Sequence, residues 1–114
     1  MRRGLLSCAA AVALAALPAR ADTTPSSTIA QLMVLEPGDA SYKLFHGAIW
    51  LELDKATVNY RWGGLQRQGR ELGDTSIQLL YAAFHAGDQL KLEFVTSVYK
   101  DKTYRCITGF TLSK

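Results

Sequence analysis

Only one stretch of this chain, Ile77 to Ala86, is built to be a long helix, and almost every other apolar run alternates with a period of two. The helical stretch contains no glycine or proline. Asp74, Thr75 and Ser76 stand ahead of it with N-cap oxygens, and Gly87 follows where a left-handed C′ residue belongs. A single helix has to bury its apolar stripe against something, and here only strands are available.

The strands are read from alternation and from turn residues. Thr28 to Leu35 is mostly apolar with β-branched members, a strand buried on part of both faces. Glu36-Pro37-Gly38-Asp39 is a turn, after which Ser41 to Phe45 reads as a second strand. His46-Gly47 turns the chain into Ala48 to Leu53, where Ile49, Leu51 and Leu53 alternate with Trp50 and Glu52. In Thr57 to Trp62, Val58, Tyr60 and Trp62 oppose Asn59 and Arg61. Gly63-Gly64 stops that run, and Leu65 to Gly73 is a polar loop. Beyond the helix, Gln89 to Val98 sets Leu90, Leu92 and Phe94 against Lys91 and Glu93. Lys100-Asp101-Lys102 is a charged hairpin tip, and Thr103 to Leu112 places Tyr104, Cys106, Phe110 and Leu112 on one face.

This order predicts a β-rich (α+β) fold, a five- to six-stranded OB-fold-like Greek-key barrel with one helix between strands 3 and 4. A two-layer α+β sandwich gives the same string. The helix from Leu79-Leu80-Tyr81-Ala82-Ala83-Phe84 to Gly87, the strand Leu90 to Val95, and Tyr104-Arg105-Cys106-Ile107 with Gly109-Phe110 resemble the second half of small exported OB-fold proteins. Among these are the B subunits of pertussis-like and subtilase-like AB5 toxins. The resemblance covers about the last 40 residues as a pattern of residue classes. It implies binding without catalysis, and helices lining the centre of a ring. Those B subunits usually carry an internal disulfide, which this chain departs from, and no glycan-contacting residue is carried over.

The first 21 residues belong to a different object. Arg2 and Arg3 precede an apolar run from Leu5 to Leu17, and Ala19-Arg20-Ala21 is a small-x-small cleavage site. This is the pattern of a secretory signal peptide cut before Asp22, leaving residues 22–114 as one small domain in the periplasm or medium. Two variants of the leader are weighed: Cys8 as a lipidation site, and Arg2-Arg3 as a twin-arginine signal. The leader holds three of the 13 Lys and Arg, against 10 Asp and Glu in the whole chain, so the remainder is neutral. That balance excludes a nucleic-acid binder working through bulk positive charge, and no later run is long and apolar enough to span a membrane. Beyond the leader Cys106 is the only cysteine. An internal disulfide is therefore ruled out, and its aromatic neighbours predict a buried thiol.

Catalytic constellations are nearly missing. His46 and His85 lack the spacing of a metal site, so neither metal nor cofactor is expected. A Cys106–His85 nucleophile pair is conceivable, but a mid-strand cysteine among apolar neighbours is seldom a thiolate. His85 instead suits the negative end of the helix, and His46 a turn. Gly63-Gly64 and Gly69 lack the lysine and hydroxyl of a phosphate loop. Recognition chemistry is better represented, in residues opposite in phase to the core: Trp50, Asn59, Arg61 and Arg105, suited to stacking and forked hydrogen bonds with a sugar or anion. On the helix, Ile77, Leu80, Tyr81 and Phe84 are expected inward. Leu79, Ala82, Ala83 and Ala86 are expected outward, where they would meet a partner or a second copy. The reading that follows is a non-enzymatic module binding a protein or glycan, with a periplasmic immunity or inhibitor protein as the alternative.

Overall fold

The computed structural model of the protein describes residues 21–67 and 70–114. The expected leader, with Cys8, lies outside the described residues except for Ala21, and so does Gly69. In chain order the elements are β1 (Asp22–Thr23), β2 (Ile29–Val34), β3 (Gly47–Leu51) and β4 (Tyr60–Trp62), then a 3₁₀ turn (Leu65–Arg67). Helix α1 (Asp74–Ala86), β5 (Gln89–Tyr99) and β6 (Lys102–Ser113) complete the chain.

All six strands form one sheet in the order β1-β5-β6-β4-β3-β2. Every neighbouring pair is antiparallel except β4 and β6, which run parallel and meet at a single pair, Arg61↔Cys106. The sheet is therefore mixed. The segment before β2 is polar and contains Pro25, yet it pairs: Thr24 N–H donates to Leu92 O at 2.9 Å, and Ser27 and Leu90 exchange two backbone bonds. Residues 22–34 thus run along β5 first and along β3 afterwards, touching both ends of the strand order. With β1 counted, α1 stands between the fourth and fifth strands, not between the third and fourth.

The core lies between the sheet and α1. Ile49, Leu51, Tyr60, Trp62, Leu90, Leu92 and Ile107 come from the strands, and Leu80 and Ala83 from the helix. The helix stripe differs from the expected one. Leu80 and Ala83 are buried and Ile77 half-buried, whereas Tyr81 and Phe84, expected inward, are 58% and 39% exposed. The contact runs through positions three apart, and α1 rests mainly on β2. Ala83 is the small residue on that stripe, and having no side chain beyond Cβ it lets the helix approach closely. At the N-terminus Gly73 is the cap and no side chain bonds the free amides, so the expected capping oxygens are unused. At the other end Gly87 is left-handed, φ 71°, and its N–H donates to Ala83 O, as expected.

Two further expectations are corrected. Ser41 to Phe45 is a succession of turns, closed by Tyr42 N–H to Asp39 O, Leu44 N–H to Ser41 O, and Ser41 N–H to the Asp39 carboxylate at 2.8 Å. In β6, Glu93 pairs with Gly109 but Phe94 pairs with Ile107, so Thr108 is an extra residue in a bulge. One extra residue reverses the faces. Ile107 joins the core beside Phe94, while Tyr104 and Cys106 turn to the opposite face with Ser97 and Val95. Tyr104 and Cys106 therefore do not share a face with Phe110 and Leu112.

Candidate functional site

The site begins where the sheet is thinnest. Because β4 and β6 pair only at Arg61↔Cys106, the chain on the N-terminal side of that pair is left unjoined. Residues 57–59 and 103–105 border a notch of about 170 Å³, lined by Thr57, Asn59, Arg61, Thr103, Tyr104 and Arg105. No carboxylate lines it. Three of the four residues expected to bind a ligand, Asn59, Arg61 and Arg105, meet here.

Arg61 is the centre of this arrangement. Its guanidinium lies 4.1 Å from the centroid of the Phe45 ring and 5.0 Å from that of Tyr104. Nε donates to Asn59 Oδ1 at 3.0 Å and Nη1 to Gln66 Oε1 at 2.6 Å. Nη2 makes no hydrogen bond among the described residues. Burial pulls the Arg61 pKa below the usual arginine value, with Tyr104 and Cys106 opposing that shift. The charge is thus partly desolvated, yet neutral oxygens are its only polar partners. The single salt bridge among the described residues lies elsewhere, between His46 and Glu71. Arg105 was expected opposite in phase to the core, but the bulge turns it to the face of Ile107, where it is exposed with its guanidinium 5.9 Å from the Tyr60 ring centroid. Tyr60 in turn donates its hydroxyl to Asp54 at 2.9 Å. Burial, then this bond to a carboxylate, pushes the Tyr60 pKa up to about 12.

Trp50 is not part of the notch. It is half-buried beside a separate cleft of about 240 Å³ with Gln31, Glu52, Asp54 and Lys55, and the 65–73 loop is not among that cleft's walls. The loop lies over Cys106 instead, on the side of the sheet away from α1. Gln66 and Arg67 are buried there: Gln66 O accepts from Ser97 Oγ and from Cys106 Sγ at 3.6 Å, and the Arg67 guanidinium donates to Ile107 O. Arg67 Nε is buried without a partner. The sequence carries no sign of this, since an arginine in a glycine-punctuated polar loop reads as solvated. Burial also lowers the Arg67 pKa.

Nothing in the sequence marks the His46–Glu71 pair either. The two side chains are 25 residues apart, and the imidazole Nδ1 approaches the carboxylate oxygens at 2.7 and 2.5 Å. His46 also stacks on Tyr42, with centroids 3.9 Å apart and planes within 9°. The pair ties the loop ahead of β3 to the loop ahead of α1. Cys106 faces the 3₁₀ turn and His85 lies exposed on α1, so the conceivable nucleophile pair is not assembled. Among the described residues no group of three His, Cys, Asp or Glu gathers as a metal would require. No helix among them is long and apolar enough to cross a membrane.

Of the four helix residues expected outward, Leu79 (47%), Ala82 and Ala86 are exposed, but Ala83 is 2% exposed and belongs to the core. No family model, curated protein or solved structure matches this chain.

Proposed function

We propose that this protein is an exported, non-enzymatic binding module, toxin B-subunit-like in organisation, whose notch takes an anionic group carried by a glycan or a protein. One observation carries the reading: Arg61 holds a partly desolvated positive charge with no carboxylate beside it, and it opens on a notch shared with Arg105 and with no acid in its lining. A desolvated charge without a counter-ion is unfavourable, and a bound anion supplies one. Asn59, Thr57, Thr103 and Tyr104 add hydroxyl and amide groups suited to the neutral part of such a ligand. The OB-like barrel is part of the proposal. Its support is the parallel β4–β6 pairing and the stretch 22–34 that borders both ends of the strand order.

Arg105→Ala is the cleaner test variant, because Arg105 is exposed while Arg61 also holds Asn59 and Gln66 in place. Arg105→Ala should change stability by no more than about 0.5 kcal/mol and weaken binding of acidic ligands on a glycan or peptide array. Undiminished binding by the variant counts against the notch. The alternative, an immunity or inhibitor protein, draws support from the apolar groups that α1 leaves outward, Leu79, Tyr81 and Phe84. The same face is where self-association is proposed. Light scattering should then show an oligomer that Leu79→Asp reduces to a folded monomer, and a wild-type monomer at tens of micromolar would remove self-association.

A further inference from the structure

We propose that the ligand of the notch is an extended peptide strand bearing consecutive acidic residues, which pairs with the free edge of β6. The inference rests on the reading of the notch as the binding site. It starts from the β5–β6 turn. Lys100 (φ 50°) and Asp101 (φ 66°) form a two-residue loop with both residues left-handed, closed by the pair Tyr99↔Lys102. The closing pair of such a loop exchanges both of its backbone bonds, and the antiparallel ladder alternates from there. Tyr104, opposite Ser97, therefore bonds inward to β5. Thr103, opposite Val98, and Arg105, opposite Thr96, turn their N–H groups away from β5 and into the notch. No backbone hydrogen bond joins residues 57–59 to 103–105 among the described residues. A strand edge with outward amides, exposed at Thr103 and Arg105, is what an added strand requires.

Charge selects the peptide. Arg61 pairs with Cys106 and shares its face, whereas Arg105, one residue earlier on β6, projects from the opposite face. Successive side chains of an inserted strand also point to opposite faces, so two neighbouring acids would reach one arginine each. Lys100 and Lys102 at the hairpin tip add positive charge, offset only by Asp101. A sugar could engage the arginines, but outward amides on alternate residues of a strand match the carbonyl repeat of an extended peptide, which favours the peptide.

The probe is a blocked heptapeptide with a central pair of glutamates between valine and threonine, titrated against the purified protein by calorimetry. It should bind, and its lysine counterpart should not. Methylating alternate backbone nitrogens on the peptide, or Arg105→Ala in the protein, should each weaken binding by roughly tenfold or more. Thr103→Pro removes an outward N–H without touching the β5–β6 ladder, and should abolish binding. Binding indifferent to both N-methylated registers refutes strand pairing whether or not the proline variant folds. A notch that rejects the peptide but binds acidic glycans through Arg105 overturns the inference and leaves the notch as the site. If neither ligand binds, both fail.

Discussion

At the residue scale, chemistry turned on which side chains are desolvated, and that is only partly written in residue type. Asn59 and Arg61 were legible as residues outside the core because they stand out of phase with apolar neighbours, whereas the bulge puts Arg105 on the face of Ile107 and Tyr60. Arg67 and the His46–Glu71 tie were not legible, since the contacts that bury or pair them come from far along the chain. Tyr60 combines such desolvation with a hydrogen bond to Asp54. Its phenol ionises near 10.0 when solvated and at about 12 in the fold, so the folded state holds that proton more tightly. The resulting stabilisation is complete below pH 10 and is lost as pH rises from 10 through 12. An ultraviolet titration should show one of the five tyrosines ionising last. Tyr60→Phe should remove that step and flatten stability over the same interval. A wild-type titration with no late tyrosine would contradict the burial of Tyr60.

The elements were legible where the period of two ran without interruption. The alternation of Leu90, Leu92 and Phe94, the hairpin tip and Gly87 all predict what the structure has, because a strand with one buried face and a left-handed cap each impose a local residue choice. The failures have local causes too. One bulge at Thr108 moved Tyr104 and Cys106 to the other face, and no residue type announces a bulge that costs a single ladder position. Ser41 to Phe45 had strand composition but Asp39 bonded its backbone into turns. On the helix, Tyr81 and Phe84 have the size of core residues, yet the buried positions are Leu80 and the smaller Ala83. This separates two substitutions of similar size on one helix. Leu80→Ala, at a fully buried position, should cost about 3 kcal/mol, whereas Phe84→Ala, partly exposed, should cost about 1 kcal/mol or less in chemical denaturation. Equal costs would mean that something covers Phe84 in solution.

At the scale of the whole molecule, the parallel seam divides the sheet into β1-β5-β6 and β4-β3-β2, joined edge to edge by one pair. The core bridges the two halves on the helix side. On the other side the bridge is the 3₁₀ turn, which bonds Ser97 and Cys106 through Gln66 O, Ile107 through Arg67, and Arg61 through the Gln66 side chain. The turn is thus the cover of Cys106, which is fully buried, and the thiol can serve as a reporter of its opening. Native protein should react with a thiol reagent far more slowly than unfolded protein. Removing the Ser97 hydroxyl deletes one neutral hydrogen bond to the turn, worth about 1 kcal/mol, so Ser97→Ala should speed native labelling by roughly fivefold. Hydrogen exchange should show the β5–β6 ladder next to the α1 side as protected as before, because the core residues Leu90 and Leu92 do not touch the turn's bonds. If labelling accelerates only in step with exchange across the whole hairpin, Cys106 is reached by global unfolding, and the turn is not a separate cover over the seam.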